Sequence, residues 1–295
     1  MTFNRLTPLA VLIMGISCKS DQKLQELKYD DVAVVSGDFD HMAEVLVRLD
    51  IGYTDFEGYI ERAIYDEEID PDINSLKVEG LFHGQNEEGV PTINTYDAVF
   101  INSGTRGLGE YVYNGVEPDS SLIEDPQTKE NIKAYVDAGG VIFASDWAAD
   151  LIEHIWPDKL QFANESSCDN DLCLDGAQVG VSEQVVARVS NTALAAELDN
   201  DSLDLSFDYT YWTVIESVGA EVTVYLEGDV EYRPSNAEVP ISLSNAPLLV
   251  SFSHGRGLVF FSSFHWRAQN PAMADALMLG IVEGLSPGNN SDVEQ

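Results

Sequence analysis

Short apolar runs that end close to small residues constrain the fold of this chain more than any other feature of its sequence. The runs 32–35, 98–101 and 141–144 consist only of Val, Ile, Phe and Ala, and Ser or Gly follows each within two residues. Uninterrupted apolar strands are typical of a parallel sheet covered on both faces. Helical patterns separate the runs, at 42–49 and 127–138, so the sequence predicts strand-helix-strand units with right-handed connections.

The second half of the chain has a different pattern. Apolar and polar residues alternate in segments of 176–233, which predicts antiparallel strands with a helical piece near 193–198. The turn 254–257 joins two apolar runs into a predicted hairpin, and a last helix is predicted from Pro271 to Leu285. We therefore expect an α/β fold with a mainly parallel central sheet and a β-rich insertion and antiparallel hairpin in the C-terminal half.

Charge excludes one broad class of function. The chain has 15 Lys and Arg against 51 Asp and Glu among 295 residues, a formal net charge of −36. Such a polyanion is repelled by nucleic acids and by anionic lipid surfaces. A hydrophobic content of 44% excludes global disorder. The acidity indicates a surface adapted to salt, and the alternative is a set of carboxylates that collects divalent cations.

The N-terminus has the parts of an export signal. Arg5 precedes an apolar run that is too short to span a bilayer, and small residues lead to Cys18. This pattern resembles a bacterial lipoprotein signal, which implies removal of 1–17 and lipidation of Cys18. The predicted organisation is then a tether at 18–29, a globular domain at 30–285 and a polar tail at 286–295. The expected location is the cell envelope, anchored in the outer membrane, and the alternative is secretion.

The remaining cysteines, Cys168 and Cys173, are five residues apart. In an oxidising compartment they are expected to form a small local disulfide. A zinc site is the alternative, but it needs more Cys or His ligands than this stretch contains. The sequence therefore predicts no metal and no cofactor.

Four loops are expected at the carboxyl ends of the strands, where open α/β sheets carry their functional groups. They are 36–38, 103–107, 145–147 and 264–267. Asp38 and Asp40 are candidates to cap the first helix.

The order of these segments resembles the class I glutamine amidotransferase-like superfamily. The resemblance rests on Gly104 after a central strand, Gly139-Gly140 after a helix, the strand-turn-helix 144–148 and a late hairpin ending at His265. It covers most of 30–285. It implies a flavodoxin-like three-layer sandwich.

The same resemblance implies roles for individual residues, and it shows what is missing. Asp146 occupies the position of the family's nucleophilic Cys, between the small residues Ala144 and Ala148. Gly104 matches the glycine that helps to bind the oxyanion, and His265 matches the catalytic His. Arg267 stands where an acidic residue is expected. A thiolate mechanism has no nucleophile in this chain.

Two functions remain open. Asp146 and His265 could act together as a general base on water or as metal ligands, in a hydrolase. The favoured alternative is that Asp146 caps the following helix and His265 makes internal hydrogen bonds, in a catalytically degenerate domain that serves binding or assembly.

Aromatic side chains complete the predicted pocket. With Ser145 and Arg267 nearby, Trp147 and Trp266 could line a site for a small molecule, a sugar or a protein ligand. The alternative for both tryptophans is packing in the core.

Overall fold

The computed structural model describes residues 31–58, 76–108, 122–163, 178–234 and 239–284. The predicted signal, the whole tether with Cys18, the pair Cys168 and Cys173, and the polar tail lie outside the described residues, so the expectations for them remain predictions. No helix in the described part of the chain is both long and apolar enough to cross a membrane.

Eleven strands form within these ranges. Nine of them make one sheet in the order β2-β1-β3-β4-β11-β10-β9-β6-β7, and β5 pairs with β8 in a separate two-stranded sheet. The strands are β1 (Val32–Val35), β2 (Thr54–Phe56), β3 (Ala98–Ile101), β4 (Val141–Ser145), β5 (Leu160–Phe162), β6 (Glu183–Val189), β7 (Ser202–Phe207), β8 (Ile215–Val218), β9 (Val222–Tyr232), β10 (Ile241–His254) and β11 (Gly257–Ser262).

The large sheet has two parts. In the first part, which we call the parallel half, the neighbours β2, β1, β3, β4 and β11 are all paired in parallel. In the second part, the antiparallel extension, β10, β9, β6 and β7 are paired in antiparallel fashion, and β10 joins the two parts by pairing with β11. The predicted α/β class is therefore confirmed, with the sheet more mixed than the sequence indicated.

In the part of the chain that the structure describes, six α-helices accompany the sheet. They are α1 (Ala43–Arg48), α2 (Val78–His83), α3 (Pro126–Asp137), α4 (Ala149–Ile155), α5 (Thr192–Leu198) and α6 (Pro271–Gly284). Helices α1, α5 and α6 contribute to one apolar cluster, and α2, α3 and α4 to the other. Val32 and Val34 of β1 belong to the first cluster, and Ala33 and Val35 to the second. Because successive strand residues point to opposite faces, the two clusters lie on the two sides of the sheet.

A row of stacked aromatic rings runs across the parallel half. The ring of Phe143 in β4 stacks on Phe100 of β3, with centroids 4.4 Å apart, and on Phe260 of β11, at 4.8 Å. All three rings are buried. Parallel strands in matched register place these side chains side by side on one face, so the uninterrupted apolar runs become the core.

The predicted hairpin is confirmed. Strands β10 and β11 pair in antiparallel register up to His254 and Gly257. Gly255 has φ +57°, a left-handed conformation that glycine adopts without strain. The predicted helices near 127–138 and 193–198 are also present, as α3 and α5.

The predicted helix caps are wrong. Helix α1 begins after Met42 with no side-chain cap, and the turn that starts at Asp146 has no side-chain cap either. The carboxylates of Asp40 and Asp146 instead accept hydrogen bonds from distant segments. Long-range contacts, rather than the nearest helix, determine where these two side chains point.

Candidate functional site

The turn after β4 has a strained backbone. Asp146 begins a short 3₁₀ turn, Asp146–Ala148, and has φ +45°. A non-glycine residue in this left-handed region is uncommon, although Asp tolerates it better than most residues. Such strain persists where surrounding contacts determine the conformation. We call this turn the elbow.

The side chain of His265 lies between two carboxylates. Its Nε2 is 2.9 Å from Oδ2 of Asp146, and its Nδ1 is 2.9 Å from Oδ1 of Asp208. Asp146 is 1% exposed and His265 is 5% exposed, so solvent barely reaches the first contact. The predicted pair Asp146 and His265 is therefore brought together, and Asp208 is a third member.

This geometry favours a protonated imidazole. When Asp146 and Asp208 are both ionised they only accept hydrogen bonds, so both ring nitrogens donate and the ring is an imidazolium. Burial by itself lowers the pKa of His265, but hydrogen bonds to Asp146 and Asp208, together with the charges of Asp146 and Asp40, raise the pKa to about 10. Burial raises the pKa of Asp208, yet the hydrogen bond and charge of His265 outweigh it and hold that pKa below its ordinary value.

Asp40 anchors the backbone beside His265. It is fully buried, and its carboxylate accepts hydrogen bonds from the backbone N–H groups of Trp266 and Arg267, each at 3.1 Å. Burial raises the pKa of Asp40, and the nearby imidazolium and the backbone donors partly offset this rise. Asp40 thus ties the loop after β1 to the segment that carries His265.

Both carboxylate oxygens of Asp146 have partners. Oδ1 accepts the backbone N–H of Thr213 at 2.6 Å. Oδ2 accepts the Ser103 hydroxyl at 3.2 Å in addition to His265. Thr213 Oγ1 also donates to the backbone carbonyl of Asp146 at 3.2 Å. The elbow carboxylate is held from three directions.

Aromatic rings cover this network. Trp147 meets Phe39 edge to face, with centroids 4.8 Å apart, and its indole N–H donates to the backbone carbonyl of Tyr211 at 2.6 Å. Tyr209 lies edge-on to the His265 ring at 5.6 Å. Tyr209 and Tyr211 are themselves about half exposed. The buried pair of His265 and Asp146 is thus shielded from water, whereas Asp208 remains partly exposed.

The other predicted site residues have structural contacts. Ser145 is buried, and its hydroxyl accepts the backbone N–H of Ser103 at 3.0 Å. Gly104 has φ +81°, and a Cβ there would lie 2.7 Å from the ring of Phe39. Both residues hold the loop after β3 against its neighbours.

The side chains of Trp266 and Arg267 make hydrogen bonds to residues other than Asp146. Trp266 is 2% exposed and belongs to an apolar cluster, and its indole N–H donates to Ser262 at 3.1 Å. It packs in the core, as the alternative interpretation held. Arg267 is exposed, and its guanidinium donates to the hydroxyl of Tyr209 at 3.1 Å.

Asp208, Asp40 and Thr213 escaped prediction as parts of the site. Asp208 follows β7, in the antiparallel extension, 57 residues before His265. The resemblance expects an acidic residue two positions after His265, where Arg267 stands, whereas the carboxylate that contacts His265 Nδ1 belongs to Asp208. The sequence signal was limited to an Asp at the predicted end of an alternating strand.

The network limits what chemistry the elbow can perform. A general base needs a free lone pair, and an imidazolium that donates from both nitrogens has none. Within the described ranges, no group of three or more His, Cys, Asp and Glu side chains is arranged to hold a metal ion. The arrangement reproduces the order nucleophile, base and orienting acid, with a carboxylate in the first position.

Comparisons with known proteins give remote likenesses. No protein-family model matches the sequence, and no curated protein sequence matches it either. Among solved structures, PurLQS from Thermotoga maritima is 12% identical with a TM-score of 0.47, covering 86% of this chain and 98% of that one. A cytoplasmic protein from Salmonella typhimurium is 13% identical at 0.46, with the same coverage. A ThuA-like protein from Parabacteroides merdae is 11% identical at 0.44, covering 86% and 88%.

Proposed function

We propose that this chain is a cell-envelope lipoprotein whose globular domain is a catalytically degenerate relative of the class I glutamine amidotransferases and serves binding or assembly. One observation carries the proposal. The imidazole that would act as the base is enclosed between Asp146 and Asp208, with both nitrogens engaged at 2.9 Å. With both nitrogens engaged by carboxylates, the imidazole is not placed to activate a water molecule, which favours a structural role for the pair.

Strand order supports a flavodoxin-like, three-layer fold for the domain. The parallel half runs β2-β1-β3-β4, followed by β11, which corresponds to the flavodoxin-like order 2-1-3-4-5. Helices from two separate apolar clusters cover its two faces. In this fold the elbow falls at the carboxyl end of a central strand, the place where the amidotransferase-like nucleophile is expected.

The second candidate function is hydrolysis by Asp146 and His265, which is favoured by their 2.9 Å contact. Asp146→Asn separates the two functions, because Asn also tolerates a left-handed backbone but removes the charge. Breaking a buried ion pair by removing one charge costs roughly 3–5 kcal/mol. For a domain of this size that corresponds to a fall in melting temperature of roughly 6–20 °C.

The measurement combines thermal unfolding with assays against ester, amide and glycoside substrates. The structural role predicts a large fall in melting temperature for Asp146→Asn and no turnover by the unmodified protein. Asp204→Asn, on the exposed side of β7, is the matched control and should change little. Turnover that Asp146→Asn abolishes, with unchanged or increased stability, would support the hydrolase, because catalytic residues often lower stability.

Anchoring is tested separately. A lipid on Cys18 keeps the chain with the membrane fraction, whereas Cys18→Ala should release it into the soluble fraction. Recovery of both forms in the soluble fraction would leave a secreted protein. That result would not affect the proposal about the elbow.

A further inference from the structure

A groove of about 600 Å³ lies between α1 and the edge strand β2, and no elbow residue lines it. Val47 and Tyr53 contribute apolar surface, and His41, Glu44 and Asp55 contribute polar groups. Val47 is 63% exposed and Tyr53 is 38% exposed, so large apolar side chains face solvent here. The volume is that of a typical site for a small molecule.

The groove begins at the point where the strand order reverses. Strand β1 pairs with β2 on one side and with β3 on the other. Ser36, directly after β1, and Asn102, directly after β3, both line the groove. Open α/β sheets bind ligands in the crevice at such a reversal, beyond the carboxyl ends of the strands.

Some polar side chains of the groove make hydrogen bonds within the protein, and others do not. Ser36 accepts the backbone N–H of Gly58 at 3.0 Å, and Asn102 accepts that of Met42 at 2.8 Å. Among the described residues, by contrast, no hydrogen bond or ion pair involves the side chains of His41, Glu44, Tyr53 or Asp55. Four functional groups thus face one groove without partners in this part of the chain.

The charges disfavour the phosphate groups that such crevices often bind. Two carboxylates, Glu44 and Asp55, line the groove, and Arg48 is held at 2.8 Å by Asp275. The preceding loop packs closely at Gly37, because a Cβ there would lie 2.2 Å from the backbone oxygen of Ser103. An anion would therefore meet negative charge and closely packed backbone.

Asp55 is an exposed residue whose carboxylate is only partly desolvated in the wall of the groove. Partial burial raises the pKa of Asp55, and the charge of His41 only partly opposes this. A carboxylate that accepts no hydrogen bond from the protein can accept one from a bound ammonium group. The adjoining Tyr53 ring offers a face for a cation or for an apolar group.

We propose that this groove binds a small organic cation, with its ammonium group on the carboxylates of Asp55 and Glu44 and its apolar body against Val47 and Tyr53. The site supplies a ligand class for the binding role proposed above. The two proposals can fail separately. Hydrolysis by Asp146 would contradict the proposal of a catalytically degenerate domain, but it would not affect binding in this groove.

The test is isothermal titration calorimetry of the full chain with phenethylamine and two compounds of similar shape, neutral 2-phenylethanol and anionic 3-phenylpropanoate. We expect the amine to bind at least ten-fold more tightly than either. Asp55→Asn should weaken amine binding about ten-fold, and Asp204→Asn, remote from the groove lining, should leave it unchanged.

Three results would overturn the site. They are no detectable binding of phenethylamine at millimolar concentrations, equal affinities for the amine and the alcohol, or unchanged amine affinity in Asp55→Asn. Asp55 is exposed, so this substitution is not expected to affect folding. Asp146→Asn distinguishes the two proposals, because it tests the elbow without altering the groove lining.

Discussion

The parallel half and the antiparallel extension differ in how their strands are covered. All four residues of β1 are buried, whereas in β6 buried residues alternate with exposed ones. Strands of the parallel half pack on helices on both faces, and β6 and β7 bury only the face that joins the first apolar cluster. One sheet is therefore stabilised in two ways, by burial of both faces in the parallel half and of one face in the antiparallel extension. Contacts between the two parts then determine how firmly they are joined.

The pairing of β10 with β11 joins the two parts through the backbone, and the ion network around His265 adds a side-chain connection. Asp40 and Asp146 belong to the parallel half, and His265 follows its last strand. Asp208 and Thr213 come from the segment after β7, in the antiparallel extension. The elbow therefore lies where the two parts of the sheet meet, and its charged groups link them.

The largest expected loss of stability is in the parallel half, whose strands are covered on both faces. Phe143→Ala removes a buried ring that stacks on two others, and we expect a loss of roughly 3–5 kcal/mol from the cavity alone. Lost ring stacking adds about 0.5–1.5 kcal/mol per pair. Urea unfolding measures the change.

The matched substitution in the extension is Val186→Ala, because Val186 is 70% exposed on the uncovered face of β6. It should change the free energy of unfolding by less than about 0.5 kcal/mol. Comparable losses for the two variants would show that the two parts do not differ in coverage.

The junction is expected to weaken as the pH rises. The pKa of His265 is about 10 in the folded protein and about 6.5 when unfolded, so its stabilisation is complete below pH 6.5 and is lost as the pH approaches 10. Between pH 7 and 9 the free energy of unfolding should fall by about 1.4 kcal/mol per pH unit through this group.

His265→Gln is the control for that dependence, because Gln can donate a hydrogen bond without titrating. Urea unfolding at pH 7, 8 and 9 should show the slope in the unmodified protein and a much smaller one in the variant. Equal slopes would mean that His265 does not carry the pH dependence.

A smaller effect is expected at the outer edge of the extension. The side-chain amide of Gln269 accepts the backbone N–H of Ser206 and donates to its carbonyl, each at 2.9 Å, which closes part of the β7 edge. Gln269→Ala leaves these groups unpaired and should cost roughly 1–3 kcal/mol in thermal unfolding. Gln184→Ala removes only an exposed contact to the Ser206 hydroxyl and should have almost no effect, so similar losses would contradict the assignment.

The sequence predicted the parallel half better than the junction. Apolar runs such as Val141–Ala144 specify buried strands locally, and the strand-end rule brought Asp146 and His265 together correctly. The partners Asp208 and Thr213 depend on how β6, β7 and the following segment pair, which no local pattern encodes. The caps failed for the same reason, because Asp40 and Asp146 reach donors that are far away in sequence.

The central claim is that His265 is an imidazolium enclosed by two carboxylates. Nitrogen NMR of the ¹⁵N-histidine-labelled full chain tests it directly, with His265→Gln identifying its signals among the five histidines. At pH 8 both ring nitrogens of His265 should be protonated, with titration near pH 10. A neutral ring at pH 8, with one unprotonated nitrogen and titration near pH 6.5, would contradict the claim and restore His265 as a base.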